Sequence, residues 1–290
     1  MKFGTYFAYW EKEWEADYHK YIEKVAGLGF DILEVGAGSL EAMEPGQLYE
    51  LKRAAKDAGI SLTACIGLPA EYNVSSADEA VRSHGVEYMK SICRKLEMAG
   101  VQAVGGIIYA YWPCDYAQPV DKPAARAQSI RSMREIAPVA RDCGVTLMLE
   151  TVNRFEQFII NDAAEAVQFA EDIGEENVKV MLDSFHMNIE EDDMGDAIRT
   201  AGDHLGHFHI GEANRKVPGK GHMDWDSIGR GLRDIHYEGA VVMEPFVCMG
   251  GTVGKDIKVW RDMSSHADEK MLDREIAEAL KFVKNKFLGA

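Results

Sequence analysis

The sequence predicts a (β/α)8 barrel that occupies the whole chain, residues 1–290, as one catalytic domain. Three observations carry this expectation. Eight apolar, β-leaning segments alternate with helical patterns along the chain. Their repeat is about 36 residues, room for a strand, a helix and two connections. Several of the strand segments are almost continuously apolar, as parallel strands are when both faces are covered.

The strand segments fall at 2–7, 30–37, 61–67, 103–109, 145–150, 178–183, 205–210 and 240–245. Between the first two, residues 14–28 place Tyr18, Tyr21, Ile22, Val25 and Leu28 on one helical stripe, and Gly29 stops it. Residues 77–98 repeat the pattern with Val81, Met89, Ile92 and Leu96, and Gly100 closes it. The helix at 162–173 opens with a capping-box-like pair, Asp162 and Glu165, and ends at Gly174. A last helix over 268–287 completes the outer ring. No long linker or low-complexity tract interrupts the alternation.

Composition narrows the function classes. A hydrophobic fraction of 47% supplies a substantial core. A net charge of −16 argues against nucleic acid or an anionic membrane as partner, since both require clustered Lys and Arg. No apolar run approaches the roughly 18 residues of a membrane span. The opening Met1-Lys-Phe-Gly-Thr-Tyr6 lacks the basic-then-apolar pattern of a signal peptide. Cys65, Cys93, Cys114, Cys143 and Cys248 are scattered and form no Cys-x-x-Cys pair, which predicts neither a disulfide framework nor a zinc cluster. A cytoplasmic location is the expectation.

Four strand segments end in metal-ligand residue types: Val145-Thr-Leu-Met-Leu-Glu150, Val178-Lys-Val-Met-Leu-Asp183, Leu205-Gly-His-Phe-His209 and Ala240-Val-Val-Met-Glu244. Their spacings of 33, 26 and 35 residues fit one ligand per strand-plus-helix unit. Barrel active sites sit at the carboxyl ends of the strands, where all four lie. Three carboxylates and one imidazole suit a divalent cation such as manganese, cobalt or magnesium. A single acidic residue ending a strand is as readily a helix cap or turn former; the set of four points to a site. His207 and His209 share a strand face, so either is a candidate imidazole ligand; His209 is nearer the carboxyl end, and His207, one layer deeper, is then a hydrogen-bonded core residue or a support for the ligand.

Other residues near these ends have two readings each. His186 follows Asp183 closely and reaches substrate, or caps the next helix. Arg154 and Glu156 pair with each other, or one contacts a hydroxyl-rich ligand. Arg215 holds a substrate oxygen, or is a solvated charge. Tyr6, Trp14 and Trp112 form an apolar wall for a sugar, or Trp14 belongs to the helix core. Two glycine-rich stretches, Val217-Pro-Gly-Lys-Gly221 and Gly250-Gly-Thr-Val-Gly-Lys255, hold a substrate phosphate or are simply tight loops.

Several long strings resemble the ketose 3-epimerase family, the D-tagatose 3-epimerases and D-allulose (D-psicose) 3-epimerases. They are Tyr9-Trp-Glu-x-Glu-Trp14, Asn153-Arg-Phe-Glu156, Val180-Met-Leu-Asp-Ser-Phe-His-Met-Asn-Ile-Glu-Glu191, Asn214-Arg-Lys-Val-Pro-Gly-Lys-Gly221, Met243-Glu-Pro-Phe246 and Asp256-Ile-Lys-Val-Trp-Arg-Asp262. The resemblance spans nearly the whole chain. It implies reversible epimerisation of free ketoses at C3 with a divalent metal, usually manganese and sometimes cobalt or magnesium, and a homodimer or homotetramer. The implied metal ligands are Glu150, Asp183, His209 and Glu244, with Glu150 and Glu244 also the acid/base pair. The implied substrate contacts are Glu156, His186 and Arg215 at the reacting end. Tyr6 and Trp112 pack near the far end, with Trp14 close by. Ser184, Ile210, Ile107 and Leu68 depart from the family pattern. Of these, Ile107 and the loop at Gly67 and Leu68 are expected beside the distal sugar hydroxyls, where they bear on substrate preference.

Such an epimerase removes a proton next to a carbonyl and returns one to the opposite face, through an enediolate. The rival readings on the same fold are an aldose–ketose isomerase, of hydroxypyruvate- or xylose-isomerase type, and a sugar-phosphate epimerase. A metal-dependent DNA-repair nuclease fits poorly with the acidic charge, and a non-catalytic sugar-binding protein does not call for a pair of metal-bound glutamates.

Overall fold

The computed structural model describes residues 1–117 and 119–289. Eight parallel strands close into a barrel in sequence order, β1 pairing with both β2 and β8. The strands are β1 (Lys2–Tyr6), β2 (Ile32–Gly36), β3 (Ser61–Cys65), β4 (Ala103–Gly105), β5 (Thr146–Glu150), β6 (Val178–Asp183), β7 (Leu205–Ile210) and β8 (Ala240–Met243). Around them lie α1 (Tyr18–Leu28), α2 (Ala37–Ala42), α3 (Pro45–Ala58), α4 (Glu79–Ala99), α5 (Lys122–Asp142), α6 (Ala163–Ile173) and α7 (Ser184–Glu190). The ring is completed by α8 (Met194–Ala201), α9 (Trp225–Asp234), α10 (Gly251–Asp256) and α11 (Glu269–Leu288).

Aspartate starts most of these helices. Asp17, Asp78, Asp121, Asp162, Asp183, Asp193, Asp224 and Asp268 are N-caps whose carboxylates accept from a backbone N–H of the first turn. Each satisfies a donor the helix leaves free and places negative charge at the positive end of the macrodipole. Part of the acidic excess is thus helix initiation. Gly29, Gly59, Gly100 and Gly174 take the left-handed conformation that ends α1, α3, α4 and α6.

All eight expected strands are present, and several boundaries move. The first helix begins at Tyr18 behind its Asp17 cap, so Trp14 stands in the β1 loop and not in helix core. The capping box at Asp162 is only half formed. Asp162 accepts from Glu165 N–H at 2.7 Å, but Glu165 reaches the N–H of Asn161 at 2.9 Å, one residue short of the cap. The fourth strand stops at Gly105, well before residue 109. Gly106 turns the chain with φ +101°, and a Cβ there would meet the Ile66 carbonyl oxygen at 2.3 Å. The eighth strand stops at Met243, yet Glu244 N–H still donates to Ile210 C=O at 2.9 Å.

Alternate residues of a strand share a face. The faces carrying Glu150, Asp183 and His209 look into the barrel, and their register brings Glu150 beside Met181 and Asp183 beside His209. Beneath them Met148 and Met181 fill the interior next to Gly105 and Gly206, which leave room for the thioethers. The ladder steps from Leu205 to His207 opposite Val180 and Met181, so Gly206 is the irregular residue. The result is a packed floor with polar groups gathered above it.

Candidate active site

Glu150, Asp183, His209 and Glu244 come together as the strand ends foretold. Each is buried, and each offers one ligand atom within 4.8 Å of the others. Asp183 has two roles at once. Its Oδ1 accepts from Phe185 N–H at 2.8 Å to cap α7, while its Oδ2 faces the cluster. Tyr109 Oη donates to the Glu150 carbonyl at 2.9 Å, pinning the end of β5.

The donor set fits a divalent cation. His209 Nδ1 is fully buried without a hydrogen-bond partner, 3.6 Å from Glu244 Oε2 and 3.9 Å from Glu150 Oε1. A buried polar atom left unsatisfied among carboxylate oxygens is what a metal ligand looks like without its ion. Electrostatics agree. Burial, then the neighbouring Glu244, pushes Glu150 well above the usual carboxylate range. Burial also acts on Glu244, but His209 and Arg215 outweigh it and hold that carboxyl low. Three carboxylates in one dry site call for positive charge, and Arg215 alone does not balance them.

Arg215 is placed by its own backbone, at φ +60° in the loop after β7. Its Nη1 donates to Glu244 Oε2 at 2.9 Å and Asp183 Oδ2 at 3.2 Å. The guanidinium lies 3.7 Å above the Phe185 ring, which holds it flat. It is not a solvated charge.

His186 lies within α7 and faces the cavity. Its Nδ1 accepts from Asn153 N–H at 3.2 Å. A backbone N–H can only donate, so Nδ1 is the bare nitrogen and the proton is on Nε2. That Nε2 is 3.7 Å from Asp183 Oδ2 and 3.8 Å from Glu150 Oε1. Burial, then Arg215, keeps the ring well below its ordinary value, hence neutral. It is a neutral N–H donor aimed at the site.

Arg154 and Glu156 do not pair. Arg154 grips Glu190 with Nε and Nη2, at 2.9 and 2.6 Å to its two oxygens. Glu156 instead accepts from Trp112 Nε1 at 2.6 Å.

The cavity over this cluster has a volume of about 370 Å3. Tyr6, Trp14, Trp112 and Phe246 wall it, with Trp14 centred 6.5 Å from both Tyr6 and Trp112. Trp14 Nε1 donates to Asp256 Oδ2 at 2.9 Å, tying the β1 loop to α10. Of the four departures from the family pattern, only Ile107 lines the cavity. Leu68 is fully buried elsewhere; its neighbours Gly67 and Pro69 face the cavity. Ile210 is core. The Ser184 hydroxyl donates to Gly211 C=O at 2.8 Å and accepts its N–H at 2.9 Å, joining the ends of β6 and β7.

The glycine-rich loops hold the chain's own carboxylates. Glu212, fully buried, accepts from Gly219 N–H at 2.7 Å, Trp225 Nε1 at 2.8 Å and Met223 N–H at 3.2 Å. Glu13 accepts from the Thr252 hydroxyl at 2.7 Å and its N–H at 3.2 Å. The Gly219 N–H and the Thr252 N–H and hydroxyl, donors a phosphate would use, are thus occupied. The charges lining the cavity are the carboxylates of Glu150, Glu156, Glu244 and Asp256 and the guanidinium of Arg215, which disfavours a phosphorylated substrate.

Sequence reasoning missed Glu34. This β2 residue is buried, accepts from Thr63 Oγ1 at 2.8 Å and contacts His209 Nε2. The available signal was a lone charge in the apolar segment Ile32-Leu-Glu-Val35. Its partner across the barrel was invisible without the fold.

A closed parallel barrel with a buried carboxylate–imidazole cluster at its carboxyl mouth defines a class, and residues 22–265 match the model of the xylose isomerase-like TIM barrels. D-psicose 3-epimerase of Ruminiclostridium cellulolyticum is 55% identical over 282 residues, covering 97% of this chain and 96% of that one. A crystal structure of D-psicose 3-epimerase from Clostridium cellulolyticum H10 with D-tagatose superposes with a TM-score of 0.98 at 54% identity, over 99% of each chain. A D-psicose 3-epimerase crystallised in the presence of D-fructose gives 0.97 at 51% identity, again over 99% of each. The chain belongs to the ketose 3-epimerases within the xylose isomerase-like TIM-barrel family. It is an isomerase, as the resemblance implied.

Proposed function

We propose that this epimerase is metal-dependent and acts on free ketoses, interconverting pairs such as D-fructose and D-psicose or D-tagatose and D-sorbose. One observation carries the reading: Glu150 at the end of β5 and Glu244 just past β8 line one cavity with the unpartnered His209 Nδ1 between them. Glu150, Asp183, His209 and Glu244 hold the cation, manganese by preference, with cobalt or magnesium as substitutes. When bound, it supplies Lewis acidity at the ketose carbonyl and its neighbouring hydroxyl.

The chain's own groups do the rest. One of Glu150 and Glu244 takes the C3 proton, and the other returns a proton to the opposite face. His186 Nε2–H and Arg215 donate to the oxygens on which negative charge develops. Glu156, steadied by Trp112, accepts from a sugar hydroxyl and orients it. Tyr6, Trp14 and Trp112 pack against the carbon chain of the far end and exclude water. Ile107 adds bulk there.

Among the described residues no helix is long and apolar enough to cross a membrane. All five cysteines are unpaired, in keeping with a reducing compartment, and the proposed location is the cytoplasm. A homodimer or homotetramer belongs to the same proposal; Trp260, 69% exposed, offers apolar surface for one.

The test is product identification. Enzyme loaded with manganese is incubated with D-fructose, D-tagatose, L-ribulose, D-xylulose and D-fructose 6-phosphate, and every product is resolved by chromatography. Only C3 epimers of the free sugars are expected, lost on chelation and restored by manganese or cobalt. Aldoses as main products would establish the isomerase, turnover of the phosphate ester the sugar-phosphate epimerase, and activity of the stripped enzyme a metal-free reaction.

A further inference from the structure

Glu34 is 1% exposed on β2, and the proton-transfer scheme does not use it. It lies across the interior from β7, with β1 and β8 between. Its Oε1 contacts His209 Nε2, and its Oε2 accepts from Thr63 Oγ1 at 2.8 Å. His207 Nε2 stands 3.0 Å from the same Oε2, off the line of a hydrogen bond. Register puts Thr63 directly beside Glu34 on the next strand. Every one of these side chains is buried.

Tautomer logic turns this contact into a role. A carboxylate oxygen accepts, so the His209 nitrogen facing Glu34 carries the proton. In the neutral ring that binds a metal, the other nitrogen, Nδ1, has its lone pair free, and it is the atom without a partner among Glu150 and Glu244. We propose that Glu34 is a positioning residue for the metal: by holding His209 Nε2–H, it presents Nδ1 as the ligand atom and raises its basicity. Thr63 in turn holds Glu34. This inference rests on the metal reading above and extends it to a residue no strand-end pattern marks.

Glu34, His207 and His209 could also be taken as a second cation site, since they offer three ligand atoms close together. The network decides otherwise. One Glu34 oxygen is engaged by an imidazole N–H and the other by a hydroxyl, and His209 cannot ligate through Nε2 while that nitrogen is protonated.

The experiment measures metal affinity directly. Manganese binding is titrated calorimetrically into stripped wild type, Glu34→Gln and Thr63→Val, and the melting temperature of each metal-free protein is recorded. Loss of an outer partner of a metal-bound histidine weakens affinity about 10–100-fold. That range is expected for Glu34→Gln, with one ion per chain in wild type. Thr63→Val, which retains the carboxylate and loses only its support, is expected to weaken binding by roughly threefold, and it carries the test if Glu34→Gln does not fold. In the cobalt-loaded protein the visible absorption of Glu34→Gln should also shift, because the imidazole donor changes. Wild-type affinity in either folded variant overturns the inference while leaving the metal site intact. So does a stoichiometry of two ions, or a loss of metal-free stability without loss of affinity. A wild type that binds no divalent cation sinks this inference together with the metal reading.

Discussion

Trp112 Nε1 donates to Glu156 Oε2 at 2.6 Å, joining the loop after β4 to the loop after β5 at the cavity. One tryptophan therefore serves two purposes, with its ring as wall and its N–H as anchor for a charged side chain. A hydrogen bond to a charged group contributes roughly 1.5–3 kcal/mol. Trp112→Phe keeps the wall and removes the anchor. The expected outcome is a rise in KM of about tenfold or more with unchanged manganese affinity, read from steady-state kinetics and metal titration. An unaltered KM would show that Glu156 needs no anchor.

Under the proposed scheme, Glu150→Gln and Glu244→Gln keep an oxygen for the metal and lose the proton carrier. Each should reduce kcat by at least about 100-fold. A second readout separates the two faces. In deuterated water each variant should still exchange the C3 hydrogen of one epimer, the one whose proton faces the surviving carboxylate, without forming the other. Near-normal turnover in either variant with metal bound would refute the two-base scheme.

Two helical glycines should respond oppositely to alanine. In α4, a Cβ on Gly85 would sit 2.2 Å from the Tyr72 carbonyl oxygen, a backbone atom that cannot swing away. Gly85→Ala is expected to cost about 1–3 kcal/mol, the usual range for overpacking. Exposed Gly27 in α1 meets nothing within 4 Å. Gly27→Ala should stabilise by roughly 0.5–1 kcal/mol, since alanine is the better helix former. Denaturant unfolding of the stripped proteins measures both.

Alkaline pH should loosen the barrel. Burial, then nearby Cys143, pushes the Cys93 thiol from 9.0 up to about 12. The folded chain thus holds that proton more tightly than the unfolded chain. Its contribution is complete below pH 9 and is lost as pH rises from about 9 to about 12. Within that window the slope from this group is about 1.4 kcal/mol per pH unit. Unfolding midpoints taken from pH 8 to about 11 should fall, and Cys93→Ala should flatten the decline. Buried Tyr109 and Tyr6 shift upward too, by burial first, and add to the same trend.

Much of this molecule is legible along the chain. Aspartate and glycine bracket the helices, because a cap needs only a local carboxylate and a left-handed end only a missing Cβ. The four candidate ligand residues lie at or beside the ends of successive strands, and a regular repeat places such residues at one mouth. Glu212 and Glu13 show the limit of local reading. The glycines near them have the look of a phosphate loop, and only the folded loops reveal that their donors serve internal carboxylates.

The sequence by itself determined the barrel, the cluster of carboxylates and imidazole at its mouth and the family, since periodicity, capping and strand ends are properties of short segments. The tertiary structure alone decided which atoms meet. It put Glu34 against His209 across 175 residues, gave Glu156 to Trp112 and Arg154 to Glu190, and left His209 Nδ1 bare. The reason is physical: a strand's alternation says which face a side chain takes, but closure of the barrel chooses the partner it finds there.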